Sequence, residues 1–315
     1  MKELPSKAVV QAAMDTVRPF VHRTPVLESR LLNQLAGCEL YFKCENFQRM
    51  GAFKMRGAVN AITQLSEAER QKGVVTHSSG NFAQAVSLAA SELGVPAHIV
   101  MPTSAPKVKK TAVISYGGQV YESTPTLKAR EALSAKIQQE TGASFLHPSN
   151  DIPVILGQGT SAIELLETQP ELDVILTPIG GGGLIAGTAL AAHYYGNNCK
   201  VIGGEPMQAD DAYRSLKSGR IETNESTDTV ADGLRTQLGD NNFPIIQQLV
   251  DEIIRVEEEE IIAAMRLIWE RMKIIIEPSC AVPFAAVLKA PEQFADKKVG
   301  VVLSGGNVDL DNLPF

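Results

Sequence analysis

The stretch Leu176-Thr177-Pro178-Ile179-Gly180-Gly181-Gly182-Gly183-Leu184-Ile185-Ala186-Gly187 joins an apolar strand that begins at Val174 to a helix expected from Leu184 to Tyr195. Consecutive glycines let backbone N–H groups approach an anion, and the positive end of the following helix favours negative charge there. Outward from this turn the same alternation recurs. Val74-Val75-Thr76 precedes a helical stretch from Gln84 to Leu93, and His98-Ile99-Val100-Met101 precedes Val108 to Tyr116. Val120-Tyr121 precedes Leu127 to Thr141, and Val201-Ile202 follows the Leu184 helix. Strands and helices in this order predict an α/β fold of right-handed βαβ units around mostly parallel sheets.

At 315 residues, 44% of them hydrophobic and 21% charged, the chain is long enough for about two domains with a substantial core. Dominant disorder and fibrous classes are excluded. A small lobe over 73–150 is expected as an insertion in a large lobe formed by 1–72 and 151–315. The helix from Glu257 to Lys273 shows the patterning: Ile261, Met265, Ile268 and Met272 form one stripe, acidic residues open it and Arg271 and Lys273 close it. Trp269 beside that stripe reads as a packing residue.

The charge balance of 29 basic and 36 acidic residues, net −7, argues against a nucleic-acid partner or an anionic membrane surface and favours a small molecule. Cys38, Cys44, Cys199 and Cys280 are scattered without a C-x-x-C pair, which reads as reduced thiols. The first twenty residues carry charges and hold no secretory apolar region, so a cytoplasmic location is expected. Val174 to Cys199 lacks Asp, Glu, Lys and Arg and so mimics a membrane span. Pro178, the four glycines, His193 and Asn197-Asn198 instead suggest a strand, a loop and a buried helix.

Three further segments carry chemistry. In Gly51-Ala52-Phe53-Lys54-Met55-Arg56-Gly57, a lysine beside Phe53 is placed for partial desolvation, which favours the neutral amine that an imine requires. Thr76-His77-Ser78-Ser79-Gly80-Asn81-Phe82 runs from a strand into a helix and offers donors to a carboxylate, or a plain N-cap by Ser79 or Asn81. Val301-Val302-Leu303-Ser304-Gly305-Gly306-Asn307 ends a strand in a hydroxyl and glycines. Ligands of open α/β sheets collect at such strand ends, so the segments are expected at one crevice. The registration Gly181-x-Gly183-x-x-Ala186, with Glu205 at the end of the next strand, also satisfies a dinucleotide fingerprint, so a nicotinamide oxidoreductase is a rival reading.

Taken together, these blocks resemble the serine racemase and serine/threonine dehydratase family of fold type II pyridoxal-phosphate enzymes, in order and spacing, over essentially the whole chain. The resemblance implies a two-lobed, tryptophan synthase β-like architecture with pyridoxal 5'-phosphate between the lobes. Lys54 would hold the cofactor as an imine and act as base on one face of the substrate Cα. Phe53 would pack on the cofactor, Gly180, Gly181, Gly182, Gly183 and Leu184 would bind its phosphate, Asn81 its ring hydroxyl and Ser304 its pyridine nitrogen. Ser79 would be the second acid/base on the opposite face, as racemisation requires. Ser78, Ser79, Asn81 and Arg130 would meet the amino-acid substrate. A neutral hydroxyl at the pyridine nitrogen implies a weaker electron sink than a carboxylate would give.

Gly204-Glu205-Pro206-Met207-Gln208-Ala209-Asp210-Asp211 resembles the racemases' divalent-metal loop, implying Glu205, Asp211 and the carbonyl of Ala209 as ligands of Mg²⁺, or of Mn²⁺ or Ca²⁺. A homodimer is implied likewise. The expected activity is conversion of L-serine to D-serine, with β-elimination to pyruvate and ammonia. The wording Gln48-Arg49-Met50-Gly51-Ala52-Phe53-Lys54 equally resembles 3-hydroxyaspartate dehydratases. Three residues depart from the family pattern: Phe82 replaces a histidine, Ala52 a serine, and Ser149 an asparagine near the cofactor. The first two leave a non-catalytic amino-acid-binding homologue as a further alternative.

Overall fold

The computed structural model describes residues 3–315, and its ten strands form two sheets. The strands are β1 Val26–Leu27, β2 Glu39–Cys44, β3 Val74–His77, β4 Ala97–Pro102, β5 Gln119–Ser123, β6 Ser144–Phe145, β7 Val174–Pro178, β8 Lys200–Pro206, β9 Glu252–Val256 and β10 Lys298–Leu303. The larger sheet has the order β1-β2-β10-β7-β8-β9 and is parallel except for β1. The smaller has the order β5-β4-β3-β6 and is parallel throughout.

Both orders reverse direction. From β7 the chain proceeds outward to β8 and β9, then returns to place β10 on the other side of β7. In the small sheet it runs from β3 to β4 and β5 and returns to β6. A crevice opens at the carboxyl ends of strands where the order reverses. The turns leaving β7, β10, β3 and β6 are those that carry the glycine run, Ser304, Ser78-Ser79 and His147 to Ser149.

The large sheet is covered on both faces, as parallel sheets require. Period-two alternation sorts β10: Val302 enters the core with Ile155, Ile163, Ile185 and Leu190, whereas Val299, Val301 and Leu303 enter the other with Phe42, Ile268 and Phe284. A third core joins Met55, Val59 and Ile62 to Phe82, Val86 and Ile99 of the small-sheet region. The helix Lys54–Thr63 therefore packs against the helix Asn81–Glu92 while its other side meets the helix Ile152–Thr168.

That other side is held at backbone distance. A Cβ at Gly157 would lie 2.4 Å from the carbonyl oxygen of Arg56, and one at Gly159 would lie 2.5 Å from that of Gly187. The helices Lys54–Thr63, Ile152–Thr168 and Gly183–Tyr195 thus stack through glycines, which fixes the start of the first against the start of the third.

The uncharged stretch from Val174 to Cys199 divides into β7, the glycine turn and the helix Gly183–Tyr195; among the described residues no helix is long and apolar enough to cross a membrane. The helix expected from Glu257 spans Glu258–Met272, with Glu257 as a capping-box N-cap and Lys273 left-handed at its end. Trp269 packs against Phe315, and its indole N–H donates to the Ile276 carbonyl at 3.0 Å.

Candidate active site

The turns at the two reversals border one cleft of about 460 Å³. Phe53, Lys54, Ser78, Ser79, Asn81 and Arg130 line it, together with Gly180 to Leu184 and Ser304. Glu205, Ala209 and Asp211 are not part of its wall.

Lys54 is the first residue of its helix, after Phe53 in the N-cap position. The turn before it is knitted to the end of β10: the Phe53 N–H donates to the Ser304 carbonyl at 3.0 Å, the Gly306 N–H to the Gly51 carbonyl at 2.9 Å, and Ala52 pairs with Gly305. Ala52 is fully buried at this bridge, outside the cleft wall. The Lys54 amine donates to the Pro148 carbonyl at 2.7 Å and lies 4.9 Å from the Phe53 ring centroid and 5.7 Å from that of Phe82. Burial pushes this amine down to about 7, against a smaller opposing pull from Glu277. A free amine is therefore abundant near neutral pH.

Opposite, Gly182 has a φ of +80° and precedes the helix Gly183–Tyr195, whose first amides lack intrahelical acceptors and open on the cleft. A Cβ at Gly181 would fall 2.3 Å from the Ser149 hydroxyl, and one at Gly183 would fall 2.6 Å from the Gln158 side-chain oxygen. Only bare backbone fits there, which makes the turn an anion cradle. Its outer wall is the Leu234 to Leu238 segment, which sequence reading did not single out.

The side-chain N-cap offered as the alternative reading for Ser79 or Asn81 is absent from the helix Asn81–Glu92: Gly80 occupies the N-cap and no side chain caps. The Asn81 carboxamide is drawn elsewhere, its nitrogen to both oxygens of Glu277 at 2.8 and 3.1 Å and its oxygen to the Asn307 amide at 2.9 Å. Glu277, also missed in the sequence, is a buried cleft residue pushed up to about 7 by burial and then by the charge of Asp232. Arg130 lines the cleft on the small-sheet side, and its buried Nε has no hydrogen-bond partner. His147 nearby is pushed down to about 4, chiefly by burial. Ser149 faces the glycine turn, whereas Asn150 turns away to Asp240 and the amide of Asn241.

An amine that sheds its proton near pH 7, an anion cradle, a buried hydroxyl and an oriented carboxamide fit a phosphate-bearing carbonyl cofactor such as pyridoxal phosphate.

A second polar cluster sits at the end of β8. The Glu205 carboxylate accepts from the amides of Ala212 and Tyr213 at 2.9 and 2.8 Å, and Asp211 accepts from Asn224 and the Leu238 amide at 2.9 and 3.0 Å. Both are fully buried. Neither has an ion-pair partner among the described residues, whereas neighbouring Asp210 is paired with Arg214 and Arg255. Burial and the charge of Asp211 push Glu205 well above the usual carboxylate range, and burial raises Asp211 to about 6. No group of three or more His, Cys, Asp or Glu suited to a metal occurs among the described residues, so a cation here needs a backbone carbonyl and water besides these two carboxylates. Two buried, mutually repelling carboxylates fit a hard divalent ion on those terms.

The family described as pyridoxal-phosphate dependent enzyme matches residues 17–305. The chain is 49% identical to the beta-hydroxyaspartate dehydratase of Paracoccus denitrificans, over 99% of each chain. It is 50% identical to the serine racemase of Arabidopsis thaliana, over 96% of this chain and 93% of that one. The solved structure of maize serine racemase superposes with a TM-score of 0.93 at 46% identity, covering 96% of this chain and 93% of that one.

Proposed function

The chain belongs to the pyridoxal-phosphate dependent enzyme family, and from that premise we propose that it is a serine racemase with β-elimination activity, acting on L-serine to give D-serine, and pyruvate with ammonia. The observation that carries this is the Lys54 amine, desolvated to about 7 in the same cleft as the glycine cradle. The fold and the relatives place the chain among fold type II enzymes, and the nicotinamide reading of the glycine turn is set aside.

When bound, pyridoxal phosphate supplies a sink for the electron pair left at Cα. Lys54 would hold it covalently, Phe53 pack on it, Gly180 to Leu184 take its phosphate, and Asn81 and Ser304 meet its ring. Lys54 follows β2 of the large sheet and Ser79 follows β3 of the small sheet, both line the cleft, and they would serve as the two proton-transfer groups. Arg130, with its unpartnered Nε, would take a substrate carboxylate, beside Ser78 and Asn81. Phe82 walls Lys54 with an apolar ring where the family has histidine, which excludes water from the amine at the cost of a polar substrate contact.

The reading extends to residues 73–150 as a lobe that closes on the large one, to Glu205, Asp211 and the Ala209 carbonyl as ligands of Mg²⁺ or a similar divalent ion, and to a cytoplasmic homodimer. A second reading, dehydration of 3-hydroxyaspartate, is favoured by the 49% identity to the Paracoccus denitrificans enzyme. Spectroscopy tests the carrying observation: the holoenzyme should show a visible cofactor band that Lys54→Ala abolishes. An unchanged spectrum in that variant would overturn the assignment of Lys54.

A further inference from the structure

We propose that Glu277 is a positioning residue, fixing the Asn81 carboxamide from across the cleft so that it presents one orientation to the cofactor ring. The inference rests on the reading that Asn81 meets that ring.

Glu277 stands at the N-cap of the helix Pro278–Lys289, in the large-sheet part of the chain, while Asn81 opens the helix after β3. Both carboxylate oxygens lie within hydrogen-bond reach of Asn81 Nδ2, and Asn307 Nδ2 donates to Asn81 Oδ1. Asn307 is itself anchored by donating to the Met50 carbonyl at 2.8 Å. A flipped carboxamide would set its oxygen against a carboxylate and its NH₂ against another NH₂. Both contacts would be lost at once, so the carboxamide held by Glu277 and Asn307 admits one orientation.

Glu277 has little freedom of its own. Its N–H donates to the Gly305 carbonyl at 3.1 Å, and a Cβ at Gly305 would lie 2.7 Å from its Oε1, so the bare turn after Ser304 gives the carboxyl its place. The same carboxyl acts electrostatically on Lys54. Two routes to the site therefore compete, through Asn81 or through the charge felt by Lys54, and a double-mutant cycle separates them.

The experiment compares holoenzyme with Glu277→Leu, which has no acceptor for Asn81 Nδ2, Asn81→Ala and the double variant, reading the cofactor dissociation constant and the visible circular dichroism per bound cofactor, with thermal melting to verify folding. We expect each single change to weaken cofactor binding about five- to tenfold and reduce the dichroic band, and the double variant to match Asn81→Ala alone. Additive losses in a folded double variant would overturn the proposal and leave the reading of Asn81 intact. Unaltered cofactor binding in Asn81→Ala would overturn both.

Discussion

The ε-amine of Lys54 donates to the backbone carbonyl of Pro148, 94 residues away, at 2.7 Å. The start of the helix Lys54–Thr63 is thereby tied to the turn that leaves the small sheet after β6. The amine satisfies one hydrogen bond there while burial strips it of the water that would keep it charged.

That burial has a pH signature in the cofactor-free protein. The Lys54 amine is pushed down to about 7 from 10.5, so between those limits the unfolded chain binds the proton and the folded one does not. Stability then rises with pH across that window, and the penalty is complete below pH 7, where both states are protonated. Lys54→Met should stabilise the cofactor-free protein by about 1–3 kcal/mol at pH 7, with the gain vanishing by pH 10. Melting curves at both pH values check this; equal shifts would contradict it.

A buried charge cluster sets the frame around Lys54. Arg56 donates to Glu45 at 2.7 and 2.8 Å and to Glu164 at 2.9 and 2.8 Å, and Lys43 donates to Glu164 at 2.7 Å. It joins β2, the helix carrying Lys54 and the helix Ile152–Thr168. Removing one member strands the opposite charge in the interior, which costs about 3 kcal/mol or more. Glu45→Gln should therefore lower the melting temperature by roughly 6 °C or more. A change within one degree would show the cluster to be dispensable.

At the end of β8, a divalent ion would relieve the repulsion between Glu205 and Asp211. Saturating Mg²⁺ should raise the melting temperature of the parent protein at neutral pH by a few degrees through preferential binding to the folded state. Asp211→Asn should abolish most of that rise while leaving a folded protein. A parent melt unmoved by chelator and by added Mg²⁺ would dismiss the site.

Sequence carried the fold where local chemistry marks the element ends. The helix Leu127–Thr141 has its expected bounds because the Thr126 hydroxyl accepts from the Ala129 amide at one end and Gly142 adopts a left-handed φ at the other. The glycine turn was legible because a glycine run between an apolar strand and a helix has few other uses. Glu277 was not, since its partner Asn81 lies 196 residues away and nothing beside either residue in the chain signals the pairing. The alternative reading of Ser79 or Asn81 as a plain N-cap is excluded by the structure: Gly80 takes the cap position, and Glu277 and Asn307 claim the Asn81 carboxamide. The buried cluster of Lys43, Glu45, Arg56 and Glu164 was likewise invisible, because isolated charges in a sequence look solvated until packing encloses them.

The central claim is tested most directly by incubating the holoenzyme with L-serine and Mg²⁺ and following D-serine by chiral analysis together with pyruvate. The account predicts both products, D-serine because Lys54 and Ser79 serve the two faces of Cα, and pyruvate from elimination. Neither product from L-serine, with 3-hydroxyaspartate consumed under the same conditions, would contradict it.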